Sequence, residues 1–590
     1  MVAMFYIHYT KLTAMHKNLR LALSFLALII LLSSCGKKTP KEAKYIPKDA
    51  TFTLVVNPKS LEDKMKKGNI SIDSFIQKMY SNGDTINPKD KQQWEDFKNS
   101  GVSLEDNVFV FMVQKGSMQK GQTSVVNILG TLKDEAKFLA YLKKQETSKD
   151  KTINKGNGYS YIVNEENMVS WNKDVVIATH YQKNPKMEYD STGNYKMADS
   201  SVVQADMKKE VERYFTQQEN ASIASLDYFN NMFKEKADGY MFATSAGSLA
   251  ALSATPFNLP KLQDLLKDNY STTTFNFEEG KIVAKGITYT NPMLSNILKK
   301  YAGPTVNTAA IEKFPSQNIN GAMLASFNPE LFSGILKELE VNGMVDGYLS
   351  KQGLTSGDIF RALKGEINVV VADFGMSMQA KEIPLGDGST YKTSSEMPVA
   401  KMVLTASIGD RAAFFKLMDK AVQSGAVVKQ NNTYAAGPIL KMVNMYLHVD
   451  DKNFVLASDS VTYVAYMAGT AKAKISSDVL DKIKGKATAG FLDFNSIING
   501  LMPSMRDATG NKVLSIVNAT IKDVFFTVDN FRGSSLKSDA VLRMADTKQN
   551  SLASMLNMAS SIYTVVKANE KIARSVPNAP MMDSVVTPKQ

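Results

Sequence analysis

The chain has 590 residues, 44% of them apolar and 22% charged, a mix that supports a packed core and, at about 100–200 residues each, several domains. Its formal charge of +12 falls to +9 for a chain beginning at Cys35, because residues 1–34 carry three basic groups and no acid. The lysines are spread rather than striped with aromatics, which excludes a nucleic-acid-binding face and reads as solvated surface.

Lys17 and Arg20 form a basic n-region ahead of "LALSFLALIILL" (21–32). Twelve helical residues span about 18 Å, short of a hydrocarbon core of about 30 Å. The run therefore has the proportions of a secretory signal, not of a membrane span. "MVAMFYIHYTKLTA" fits poorly as an n-region, and "MHKNLR" from Met15 makes a conventional start. Leu32-Ser33-Ser34-Cys35 has the form of a lipobox: an aliphatic residue three before the cysteine, then small residues that admit a peptidase to extended backbone. The expectation is a signal peptide over 1–34 and a diacylglycerol on Cys35, whose acyl chains hold the protein to a membrane. That modification uses the chain's one thiol, and only His180 and His448 survive processing, so neither a disulfide nor a Cys/His zinc site is expected.

Residues 35–45 read as a lipidated tether, with four lysines against one glutamate in "GKKTPKEAK". Position 36 is Gly rather than the Asp that often retains such proteins in the inner membrane of two-membrane bacteria, which points to the outer membrane. The tether lacks the acidic run of surface-exported lipoproteins, so a periplasm-facing anchor is preferred.

The body then repeats one plan. "ATFTLVVNPKSLEDKM" (50–65) and "GAMLASFNPELFSGIL" (321–336) are each an apolar strand, Asn-Pro, and an amphipathic helix, with Asn57 and Asn328 as N-caps and Pro58 and Pro329 at the first helical position. "DNVFVFMVQ" (106–114) parallels "GEINVVVADF" (365–374) as buried strands. "VVNILGTLKDEAKFLAYLKK" (125–144) parallels "MVLTASIGDRAAFFKLMDKA" (402–421), each a strand, an Asp cap (Asp134, Asp410) and a helix with apolar residues at 3–4 spacing. Paired tyrosine strands follow at 156–179 and 431–458, then strand-to-helix steps at 238–252 and 489–501, then exposed hairpins at 272–290 and 522–544. The expected fold is α+β in two homologous halves, 46–304 and 319–565, each mostly antiparallel sheet packed by helices. A linker at 305–318 and a tail at 566–590 complete the plan. Two long polar stretches, 187–206 and 376–398, break the correspondence and read as loops.

Catalytic motifs fail one by one. "GSMQKGQT" (116–123) has Gln122 where a phosphate-binding loop needs lysine, and a strand rather than a helix follows. "GNGYSY" (156–161) lacks the third glycine and the helix of a dinucleotide loop. Ser534 to Lys537 fits S-x-x-K inside a hairpin turn, without companion motifs. His180 and His448 occupy different places in the repeat. Carboxylates at matching turns remain (Glu165/Glu166 with Asp450/Asp451, and Asp106 with Glu366), since a glycosidase needs only two at about 5–10 Å; acids that merely form solvated turns fit the same pattern. Only two tryptophans, Trp94 and Trp171, argue mildly against sugar stacking, and the 31 methionines fill irregular cores or make adaptable contact surfaces.

The opening "CGKKTPKEAKYIPKDATFTLVVNPKSL", and "IPKDATFTLVVNP" within it above all, resembles a Bacteroidota lipoprotein family whose domain has no known function. The resemblance implies a compartment and a two-part body, and no catalytic residue. The expectation is a membrane-anchored envelope lipoprotein without cofactor or metal, binding an envelope protein or polymer or scaffolding the envelope. An envelope hydrolase using paired carboxylates, or a carrier of an apolar ligand, are the alternatives.

Overall fold

The computed structural model describes residues 39–80, 88–117, 121–145, 148, 150–184, 200–245, 259, 261–384, 389–469 and 477–575. The first ten strands are β1 Phe52–Val56, β2 Val108–Ser117, β3 Gly121–Thr131, β4 Asn154–Lys155, β5 Ser160–Asn164, β6 Asn167–Trp171, β7 Val175–Asn184, β8 Gly239–Thr244, β9 Tyr270–Glu278 and β10 Lys281–Tyr289. The next ten are β11 Ile319–Ser326, β12 Leu363–Pro384, β13 Thr390–Ile408, β14 Val427–Gln430, β15 Thr433–Ala436, β16 Tyr446–Val449, β17 Asn453–Ala457, β18 Thr488–Asp493, β19 Ile521–Val528 and β20 Ser535–Met544. Among the described residues, eighteen of these form one antiparallel sheet, and β14–β15 stand apart as a hairpin. Helices pack on both faces, so the fold is α+β.

β10 and β20 pair at the middle of the sheet over nine residue pairs. Outward from them run β9-β8-β1-β2-β3-β7-β6 on one flank and β19-β18-β11-β12-β13-β17-β16 on the other. The two flanks take up their chain segments in the same order.

Side chains alternate across the sheet. The first face carries two cores. One holds Phe109, Phe111, Phe242 and Tyr240 beneath helices Ser200–Thr216 and Asp227–Met232. The other holds Leu324, Val370, Val403 and Ala489 beneath helices Ser460–Ala468 and Ser477–Ile483. On the second face, Val56 and Val108 lie beneath Leu61 and Met65 of helix Pro58–Lys67, with Phe75, Trp94 and Leu552 in the same cluster. Further along that face, helix Arg411–Gln423 buries Phe414 and Met418 against β13 and β17.

The capping expectations hold where the local chemistry is complete. Asn57 accepts from Ser60 N–H at 3.2 Å, and Asp134 and Asp410 accept from Lys137 and Ala413 N–H at 3.0 and 2.9 Å. Asn328 accepts from Glu330 N–H at 3.0 Å, but Pro329 precedes the first helical residue instead of occupying it.

Several expected boundaries move. The tether does not extend to residue 45: Lys41–Tyr45 is a 3-10 turn whose Glu42, Ala43 and Tyr45 are buried, with Thr131 Oγ1 donating to Glu42 at 2.9 Å. Residues 305–318 are not a free linker, because Val306, Ile311 and Phe314 sit in the second first-face core. No break falls at 566, since one helix runs Ser551–Ser575. The hairpins at 272–290 and 522–544 form β9–β10 and β19–β20, central strands rather than exposed ones. The stretch 376–398 is no loop: β12 and β13 continue in register from Gly375↔Val399 to Pro384↔Thr390 as a two-stranded arm. Residues 200–206 of the other polar stretch open a helix, and 187–199 lie outside the described residues.

Candidate binding surface

On the second face, the strands from β19 to β11 alternate as in any sheet, yet part of their apolar row is left uncovered. One line of paired residues crosses eight strands from Phe275 through Ala284, Ala540, Phe526, Gly490, Met323 and Val369 to Leu404. Beside it runs Ile282, Leu542, Val524, Leu492, Gly321, Val371 and Met402. No side chain in either line carries a charge or a hydrogen-bonding group. Met323, Phe526 and Leu492 remain exposed in the middle of it.

The other flank shows what is missing. Val56 pairs with Gly239, and the ring of Phe275 lies over that glycine; Met323 pairs with Gly490, and the ring of Phe526 lies over that one. A Cβ at either glycine would collide with its ring. The two sites share this glycine–ring pairing, although the Asn-Pro steps that follow their strands lie at different distances from it, and they differ in cover. Val56 is 6% exposed, under helix Pro58–Lys67 and Leu552. Met323 is 53% exposed, because helix Glu330–Glu338 turns Leu331, Ile335 and Leu336 towards Ile297 and Leu265 instead of onto the sheet. Helix Ala508–Thr520, next to β19, buries none of its residues.

The carboxylates raised by the sequence do not converge. Glu165 and Glu166 form the β5–β6 turn, and Asp450 and Asp451 the β16–β17 turn, near opposite ends of the strand series. Burial pushes the Asp450 carboxyl up, but N–H groups of Lys452 and Asn453 at 2.7 and 2.6 Å outweigh it and hold the pKa below its ordinary value. Asp451 pairs with Arg411 at 2.6 Å, Asp106 with Lys133 at 3.5 Å, and Glu366 accepts from Ser407 Oγ at 3.2 Å. Asp373, Asp419 and Asp459 are likewise shifted down. Carboxyls tuned this way stay ionised; a general acid is tuned upwards.

His180 contacts Asn167 Oδ1 at 3.0 Å, and His448 lies 3.6 Å from Asp450; the two stand on opposite flanks. Trp94 and Trp171 are buried, donating to Asp73 and Glu135 at 2.8 and 3.2 Å. Among the described residues, no group of three or more His, Cys, Asp or Glu could hold a metal. The 116–123 stretch joins β2 to β3, with Ser117 opposite Gly121; Ser534 to Lys537 enters β20. Cys35 lies outside the described residues. Sequence reasoning missed the exposed strip, since "GAMLASF" reads as a buried strand and only the missing roof reveals it.

A sheet-centred α+β protein with an exposed apolar strip is the class these features define. The family described as Domain of unknown function (DUF4836) matches residues 43–552, and the chain belongs to it. No curated protein matches the chain. Among solved structures, "Structure of crystal form I of TP0453" is similar at a TM-score of 0.22 and 11% identity, covering 46% of this chain and 88% of that one, a likeness too slight to carry over an activity.

Proposed function

We propose that this DUF4836 protein is a lipid-anchored envelope protein that acts by binding, with the uncovered strip on β19, β18 and β11 as its contact surface. The observation that carries the reading is the exposure of Met323, Phe526 and Leu492 on one apolar strip, where the similar glycine–ring pair beside Val56 is buried. Exposed apolar surface of this kind marks interaction sites in soluble domains. A lipoprotein of the outer membrane facing the periplasm fits the lipobox and the basic tether, and membership of a Bacteroidota lineage fits the same features. Two homologous halves fit the matching strand order, with divergence of the second half's helices leaving its sheet open for a partner. The hydrolase reading has less support, because each candidate carboxylate is engaged in its own turn or ion pair.

The test is a photo-crosslinking residue at Met323 or Leu492 in cells, followed by identification of the captured species. We expect a discrete envelope protein, polymer or lipid from these two positions. Failure to capture anything, together with hydrolysis of an envelope polymer by the purified protein, would favour the enzyme. Separately, mass spectrometry of the native protein should show a mature N-terminus at Cys35 bearing diacylglycerol. An unmodified thiol would remove the anchor from the proposal.

A further inference from the structure

A cluster of polar side chains lies on the first face of the second flank, at one end of the core beneath helix Ser460–Ala468. Alternate positions point to this face: Leu324 and Ser326 on β11, Glu366, Asn368 and Val370 on β12, Thr405 and Ser407 on β13. Ser326 pairs with Glu366, and Asn368 with Leu324 and Thr405, so the five polar residues are contiguous. Ser326 is 3% exposed and Asn368 4%. Glu366, Thr405 and Ser407 are half-buried, and Asn453, opposite Ser407, is exposed at the rim.

Bonds within the cluster leave part of it unsatisfied. With the amide placed so that Asn368 Nδ2 donates to Thr405 Oγ1 at 3.3 Å, Asn368 Oδ1 has no hydrogen-bond partner among the described residues, and neither has Ser326 Oγ. Only six buried side-chain atoms among those residues are so placed, and these two stand on adjacent strands. Glu366 accepts from Ser407 Oγ and pairs with no cation among the described residues: Lys401 is held by Asp373 and Lys486 by Asp529, and Lys364 is exposed and makes no ion pair with it. The buried asparagine of the other flank is satisfied, since Asn127 Nδ2 donates to Tyr214 at 3.2 Å and its Oδ1 accepts from Thr179 at 2.8 Å. Buried acceptors left without donors are costly. A carboxylate, an amide oxygen and a hydroxyl oxygen make three acceptors, and a primary ammonium brings one positive charge, three donors and no acceptor. Tyr463 and Tyr466 pack onto the same core. The Glu366 charge adds to the burial that pushes the Tyr466 phenol up, which places an aromatic ring near the carboxylate, surroundings that favour a cation. A calcium ion would want about six to eight oxygen ligands, and this cluster has one carboxylate. We infer that the Ser326–Glu366–Asn368 cluster binds the primary ammonium group of a small organic amine.

A chain beginning at Gly36 tests this, because it retains every described residue. Titration with butylammonium at constant ionic strength, followed by ligand-observed NMR, should show saturable binding. Tetramethylammonium carries the charge without N–H donors, and butanol the stem without the charge; each should bind at least about tenfold more weakly. Glu366→Gln should weaken butylammonium by about tenfold or more, and Asn368→Leu should do the same, with unchanged circular-dichroism spectra showing that both variants fold. Absence of saturable butylammonium binding, equal binding of tetramethylammonium, displacement of the amine by sodium, potassium or calcium at matched ionic strength, or undiminished binding by either folded variant would each overturn the inference. The cluster is on the face opposite the exposed strip, so either result leaves the contact surface proposed above where it stood.

Discussion

Asp238 is fully buried at the start of β8, accepts from Phe277 N–H at 2.6 Å, and pairs with Lys64 and Ser60 of the first helix. Replacing it with alanine strands Lys64 beside an apolar core and should cost about 3–5 kcal/mol, read from urea denaturation. The Val56 and Met323 sites give a paired measurement. Val56→Ala should cost about 1–3 kcal/mol, whereas Met323→Ala, which has no roof to lose, should stay within about 0.5 kcal/mol. Equal costs would mean that Met323 is covered in solution. Burial also pushes the phenols of Tyr141, Tyr159 and Tyr270 up to about 12, with Asp96, Glu212 and Asp268 adding to the effect. The unfolded chain releases these protons near pH 10, so their contribution is complete below that pH and is lost as pH rises towards 12. The melting temperature should fall across that window, and less steeply in a Y141F/Y159F/Y270F variant.

At the scale of elements, the short-range chemistry was legible and the long-range cover was not. Asp134 and Asp410 sit where an acid before an apolar 3–4 pattern must cap a helix, and Asp134→Ala or Asp410→Ala should each cost about 1 kcal/mol in a thermal melt. The strands of β2, β3 and β13 were equally plain from their apolar runs. The arm at 375–399 was not: Met376, Lys381, Glu382 and Ser394 look like loop, because a ribbon with two solvated sides has no buried face to impose alternation. The exposure of Met323 was also hidden. Val56, beside the other glycine–ring pair, is roofed in part by Leu552, nearly five hundred residues away, and no local pattern encodes such an absence. The carboxylate pairs matched in sequence register and parted in space, since turns at equivalent places in two flanks lie far apart.

For the whole molecule, the β10–β20 pairing and the passage of helix Ser551–Ser575 from the second flank onto helix Pro58–Lys67 tie the two flanks together. Neither flank can separate from the other without breaking sheet hydrogen bonds. Calorimetry should therefore show one unfolding transition, and two resolved transitions would mean that the central pairing is weak. A sheet so wide also invites growth by addition of further strands. Its outermost members are only two residues (β4, Asn154–Lys155) and four residues (β16, Tyr446–Val449) long, and the β14–β15 hairpin lies against β16. Among the described residues, the two-stranded arm carries Pro398 within β13 and Lys392 on the same strand, and a proline and a charge each break the continuous ladder that a neighbouring chain would need. The protein can thus be crowded to high concentration without its molecules polymerising edge to edge.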